Sequence, residues 1–251
     1  MPLPASGRAK DTLWHSLFVR VPSLTDGNCF FDSVRIIMSR IPEEHVRIIN
    51  KSLMKKGITA HKDGGFLSCK DYTNDYLRVL VAASIYRPEC YDIIKTWRLM
   101  FANACREGDG DVQMRLSHVS CLKDQTREDL DDTDLDKLYR QMRQNSYWAD
   151  EFAVGMVEEY FGVRFIVVNE DGHVESRINN HPDFDPKLFI LLFFNYGARH
   201  YEPLKYVGPG GKDERFSFTF DEIPEPIVEM AQRDVVGEDV PWYVNLQVGD
   251  S

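Results

Sequence analysis

The stretch Thr25-Asp26-Gly27-Asn28-Cys29-Phe30-Phe31 joins a tight polar turn directly to an apolar run. Gly and Asn both tolerate left-handed backbone angles, and Asp, Gly and Asn in succession favour a turn. Downstream, Phe30, Phe31, Val34, Ile37, Met38 and Ile41 recur with the spacing of one helical face, and Pro42 closes the pattern. Cys29 therefore stands where a turn enters a buried helix. A helix N-terminus carries partial positive charge and open N–H groups, which favour a thiolate. Without such a setting a cysteine is usually a small buried hydrophobe. Cys90, Cys105 and Cys121 lack this setting, and Cys69, which follows the Gly64-Gly65 loop, has only a weaker form of it.

Outward from this turn, residues 43–56 place Val46, Ile49 and Leu53 on one helical side and stop at Gly57. Residues 61–68 read as a loop, and 72–106 as two helices separated by Pro88. The acidic region 107–136 reads as a solvated loop and a helix start; its carboxylates do not keep the alternate spacing of a calcium loop. Phe152, Met156, Val157, Tyr160 and Phe161 form another helical face, ended by Gly162. Residues 163–168 then read as a strand, Asn169-Glu170-Asp171-Gly172 as a turn, and 173–178 as its hairpin partner. The apolar run 188–194 predicts a strand buried on both faces. A turn at 195–199 leads into a further strand at His200-Tyr201-Glu202. Past Gly208-Pro209-Gly210-Gly211, a strand over 215–220 and a helix over 224–233 are expected, with Phe216, Phe218, Phe220 and Trp242 packing the tail onto the domain. Helices come first and strands cluster later, so the fold class is α+β.

With 251 residues, 43% of them hydrophobic and 28% charged, the chain has ordinary globular composition and the length for one large domain or two small ones. A net charge of −10 counts against nucleic acid as a partner and suits a basic protein. Five cysteines without a C-x-x-C pair exclude a zinc ribbon or dithiol centre, so no metal and no cofactor are expected; unpaired thiols suit a reducing compartment. No apolar run approaches the roughly 18 residues of a membrane span, and residues 1–10 lack the hydrophobic segment of a secretory signal. The expectation is a soluble, cytoplasmic protein. A nucleophilic thiol also needs a base. Of seven histidines, His200 leads because it follows a buried strand and a turn; His173 lies in a hairpin turn, and His15, His45, His61, His118 and His181 sit in polar or loop-like sequence.

Three blocks in order resemble the ovarian-tumour (OTU) family of cysteine proteases. Asp26-Gly27-Asn28-Cys29-Phe30-Phe31 resembles its nucleophile motif. Tyr147-Trp148-Ala149-Asp150-Glu151, with the helix and strand that follow, resembles its W-G-D-E block. Phe193-Phe194-Asn195-Tyr196-Gly197-Ala198-Arg199-His200-Tyr201 resembles its histidine block. The likeness covers residues 13–206 and is weakest over 57–144. It implies an N-terminal extension (1–12), a catalytic domain (13–207) of papain-like OTU fold with a small central sheet flanked by helices, and a C-terminal extension (208–251).

The activity implied is that of a deubiquitinase, cutting after the C-terminal glycine of ubiquitin through a thioester. Cys29 would be the nucleophile and His200 the general base, with Asp26, Gly27, Asn28 and the Cys29 N–H forming the oxyanion hole. For the third member, Glu202 stands where many relatives have Asp or Asn, while Asp26 matches the first motif without substitution and is favoured. Asn195, Tyr196, Trp148 and Tyr201 flank the implied substrate channel; for Trp148 and Tyr201, packing in the core or along the histidine strand is the leading reading. The partners implied are ubiquitin or polyubiquitin, with no nucleic acid and no membrane; the chain itself is expected to be a monomer in the cytoplasm, or in a host cytosol if a pathogen encodes it. The competing readings are a ubiquitin-binding scaffold, or a protease for a ubiquitin-like modifier or a viral polyprotein.

Overall fold

The computed structural model describes residues 16–58, 61–62, 65–122, 130–175 and 185–235. The first half runs β1 (Phe18–Arg20), α1 (Cys29–Met38), α2 (Glu43–Lys55), the short hairpin β2 (His61–Lys62) and β3 (Gly65–Phe66), α3 (Asn74–Ala83), α4 (Tyr91–Glu107) and α5 (Gly110–Arg115). The second half runs α6 (Asp132–Met142), α7 (Glu151–Phe161), β4 (Val163–Asn169), β5 (Val174–Glu175), β6 (Leu188–Asn195), β7 (His200–Tyr206), β8 (Ser217–Phe218) and α8 (Glu225–Val235). The fold is a mixture of helix and sheet of the α+β kind. Among the described residues, no helix is long and apolar enough to cross a membrane.

The chain divides into two units. The first takes residues 16–24, 33–71 and 158–235, and holds the six-stranded sheet in the order β1-β7-β6-β4-β5, with β8 also on β6. β6 runs parallel to β4 and antiparallel to both β7 and β8. β7 pairs with residues 192–195 of β6 and β8 with residues 189–190, so two different segments share one edge of the central strand. A strand paired on both sides and covered on both faces has no polar face, which is why Leu188 to Phe194 reads as an unbroken apolar run. One core cluster joins Phe18, Ile166, Phe189, Leu191 and Tyr206 to Phe218, Ile227, Met230 and Ala231 from beyond Gly208. His45 of α2 reaches into the same region, its Nδ1 lying 2.8 Å from Ser217 Oγ and its Nε2 3.5 Å from Glu222. Both His45 and Ser217 are buried, so this hydroxyl–imidazole–carboxylate row fastens the tail to α2.

Also in this unit, Arg164 Nη1 donates to Glu158 Oε2 at 3.2 Å, and the Phe165 N–H donates to Glu158 Oε1 at 2.8 Å. Burial pushes the Glu158 carboxyl up to about 7, against the opposing pull of Arg164 and the Phe165 N–H. Removing one member of such a pair leaves the other desolvated without compensation. Arg164→Ala is therefore expected to cost about 3–5 kcal/mol in urea unfolding; a loss under about 1 kcal/mol would mean the pair behaves as a surface one.

The second unit takes residues 25–32 and 72–157. Its helices bury apolar faces: Leu77, Val81 and Ala82 of α3 are buried, as are Leu135, Leu138 and Met142 of α6. Trp97, His118 and Phe152 pack edge to face, and His118 also packs on Tyr147. Burial lowers the His118 pKa, so this ring sits in the core uncharged.

Several expectations change at the level of local structure. The loop expected at 61–68 contains the hairpin β2–β3, whose two-residue strands are too short to show alternation. The polar region 107–136 contains α5, capped by Asp109, whose carboxylate accepts from the Asp111 and Val112 N–H groups at 3.1 Å. Asp131 caps α6 by accepting from the Asp134 N–H at 2.9 Å, so part of the acidic run serves helix starts. The helix after Cys29 ends at Met38, and Pro42 starts α2 rather than ending α1. The strand expected over 215–220 shrinks to β8, because Thr219 and Glu222 close a capping box that turns Phe220 out to solvent. Residues 176–178, His15, His181 and Trp242 lie outside the described residues.

Candidate active site

The candidate residues fall into two groups, one in each unit. In the helical unit, the turn that carries Cys29 is closed by its own polar groups. Asp26 Oδ1 accepts from the Asn28 N–H at 2.9 Å and Oδ2 from Asn28 Nδ2 at 3.2 Å. The Cys29 N–H donates to the Asp26 carbonyl at 3.1 Å, and Asp32 N–H to the Asn28 carbonyl at 2.7 Å, the first bonds of α1. Cys29 is thus the first helical residue and is 3% exposed. Two backbone donors expected in an oxyanion hole, those of Asn28 and Cys29, are engaged within the turn itself.

Gly27 is fixed by close approach. A Cβ there would lie 1.7 Å from the Asn145 carbonyl oxygen, which no side chain could occupy. Asn145 belongs to the stretch leading into the second sequence block. In that block the Tyr147 hydroxyl donates to Asp150 Oδ1 at 2.9 Å, and Asp150 Oδ1 accepts from the Ala153 N–H at 3.0 Å, capping α7. Trp148, expected in the core, is 45% exposed: its neighbour Tyr147 takes the buried place, and the chain turns Trp148 outward.

In the sheet-bearing unit, His200 opens β7 in register with Asn195. Its Nε2 lies 3.3 Å from Ser23 Oγ and 3.6 Å from Glu202 Oε1. Ser23 donates its one hydroxyl proton to the Tyr201 carbonyl at 2.6 Å, so toward the imidazole it can only accept. That places the proton on Nε2 and, in the neutral ring, the basic lone pair on Nδ1. Glu202, two residues along the strand, lies on the same side as His200, and Arg20 Nε donates to its other oxygen at 2.5 Å. Arg20 in turn stacks on Phe193, 4.1 Å from the ring centre.

The turn before His200 is also braced. Asn195 Oδ1 accepts from the Ala198 N–H at 2.7 Å, and Glu170 from the Tyr196 N–H at 3.1 Å. Arg199 adopts a left-handed φ of 50°. Tyr201 is buried, packing on Phe194 along the histidine strand, whereas Tyr196 stands 55% exposed at the tip.

Other thiols and imidazoles are occupied differently. Burial pushes the Cys69 thiol up to about 12, too high to ionise near neutrality, and burial also raises that of Cys121. His173 pairs with Asp234. Among the described residues, no three His, Cys, Asp or Glu side chains converge as metal ligands. Two participants have no sequence signature at all: Ser23, in an aperiodic segment, and Arg78, which binds mainly peptide carbonyls. No protein-family model matches the chain, and no curated protein is significantly similar to it in sequence.

Proposed function

We propose that the chain is a thiol hydrolase of the OTU type that removes ubiquitin from its conjugates. The observation that carries this reading is the oriented imidazole of His200, with Ser23 and Glu202 at Nε2 and its basic lone pair on Nδ1. The reading requires that Nδ1 take the Cys29 proton, so that the thiolate attacks the carbonyl carbon of the scissile bond. His200 then returns the proton to the leaving lysine amine as the C–N bond breaks, leaving a thioester. A water deprotonated at Nδ1 hydrolyses that thioester and frees the carboxylate.

A nucleophile only 3% exposed suits a slender acyl chain, and the Gly-Gly terminus of ubiquitin is the slenderest a protein can offer. Glu202, not Asp26, is the third member in this mechanism. Both Asp26 carboxylate oxygens are taken within their own turn, whereas Glu202 faces His200 and stabilises the imidazolium.

Intact-mass labelling with a ubiquitin carrying a C-terminal electrophile tests the reading. A single adduct is expected, mapping to Cys29 and absent from Cys69. No adduct with ubiquitin still bound would favour the scaffold reading. Adducts formed only with a ubiquitin-like electrophile would move the substrate class.

A further inference from the structure

Arg78 of α3 is 1% exposed and sits on the helix's apolar side among Leu77, Val81 and Ala82. A guanidinium buried to that degree is costly unless its donors are met. They are met by groups from two segments. Nε donates to Asn28 Oδ1 at 2.7 Å and Nη2 to the Gly27 carbonyl at 2.5 Å. Nη1 faces the carbonyls of Gln144 at 2.8 Å, Tyr147 at 3.1 Å and Met142 at 3.3 Å. The Phe31 ring lies against the guanidinium, 4.6 Å from centre to carbon. A hydrophobe would fill the same volume at lower desolvation cost, so the cation's value lies in what it grips. The Gly27 carbonyl and the Asn28 N–H belong to one peptide plane. With one end on Arg78 and the other on Asp26 Oδ1, the rotation of this plane, one peptide before the one that enters Cys29, is fixed at both ends.

We propose that Arg78 is a positioning residue for the nucleophile: it clamps the Cys29 turn to residues 142–147, fixes the Gly27–Asn28 peptide plane, and supplies a buried positive charge to that turn. This rests on the reading of Cys29 as the nucleophile. Burial lowers the Arg78 pKa, opposed by electrostatic attraction from Tyr147, Asp26, Asp75 and Cys29.

The test compares wild type, Arg78→Lys and Arg78→Met in two assays, with cooperative melting as the check on folding. Iodoacetamide alkylation of Cys29 across pH, read by peptide mass, needs no ubiquitin and so stands apart from the proposed activity. The ubiquitin electrophile reads the positioned turn. Arg78→Met is expected to move the alkylation midpoint to higher pH and to slow ubiquitin labelling about 100-fold, the scale of a misplacement near 1 Å. Arg78→Lys, which keeps the charge and loses the planar fork, is expected to leave the midpoint near wild type and still slow labelling at least about tenfold. If Arg78→Met does not fold, Arg78→Lys alone decides. Labelling and alkylation unchanged in a folded variant would overturn the proposal. So would loss of cooperative melting in both variants, which would make Arg78 a residue of the core alone. If wild type reacts with iodoacetamide but not with the ubiquitin electrophile, the proposed activity fails, and the alkylation profiles still judge Arg78.

Discussion

Gly27→Ala is expected to abolish adduct formation at Cys29 with a ubiquitin electrophile while the sheet-bearing unit stays folded. The added methyl carbon would lie 1.7 Å from the Asn145 carbonyl oxygen and 2.8 Å from its carbon, both main-chain atoms that cannot swing aside. Nor can that segment retreat without penalty, because Arg78 holds the carbonyls on either side of Asn145. The turn must therefore move, taking with it the Gly27–Arg78 bond and the Gly27–Asn28 peptide plane. Overpacking of this kind typically costs about 1–3 kcal/mol, within what a domain can bear, so the protein should survive as a folded chain with a displaced thiol. Intact-mass kinetics give the labelling rate, and hydrogen exchange over residues 72–157 locates the disturbance. Labelling at the wild-type rate would sink the idea that this close approach sets the nucleophile.

Glu202→Ala is expected to slow ubiquitin-substrate turnover about 100-fold, whereas Asp26→Asn should change it by less than about tenfold. The difference follows from where each carboxylate spends its oxygens. Glu202 faces His200 Nε2 and is itself held by Arg20, so its loss removes the negative charge that stabilises the imidazolium. Asp26→Asn keeps one acceptor for the Asn28 N–H and loses one local bond, worth about 1 kcal/mol. Ser23 remains at Nε2 in either variant, so the ring keeps its tautomer and the comparison isolates the charge. Equal losses in the two variants, or a larger one for Asp26→Asn, would return the third role to Asp26.

The parts of the fold legible in advance were those in which one physical constraint repeats along the chain. β6 is buried on both faces and so reads as an unbroken apolar run, as does β4 from Phe165 to Val168; α2 buries one side and so shows the helical period. β2, β3, β5 and β8 are two-residue strands, in which no period can be expressed. For the candidate site, Cys29 and His200 stand out because each begins an element. The groups that hold them do not. Arg78 is bound mainly to peptide carbonyls at residues 27, 142, 144 and 147, and a carbonyl leaves no mark on the identity of its residue. Ser23 matters through its single proton, which only the three-dimensional position of the Tyr201 carbonyl can assign. Trp148 and Tyr201, in different blocks and equally aromatic, part company because Tyr147 already fills the buried position beside Trp148.

The shared edge of β6 bears on the order in which the protein can assemble as it is synthesised. Its first residues pair with β8, and Phe218, Ile227, Met230 and Ala231 complete a core that begins at Leu17 and Phe18. On the ribosome, the histidine strand thus emerges before the segment that covers the lower half of its neighbour. Between those moments an apolar strand has an open edge, the condition under which nascent chains pair wrongly or recruit chaperones. Closure from such distant segments also makes for slow folding. His200, seated in that sheet, gains its full support only after residues 217–231 have emerged, so a ribosome-bound fragment carrying both Cys29 and His200 but not that segment would hold these two residues before it held their frame.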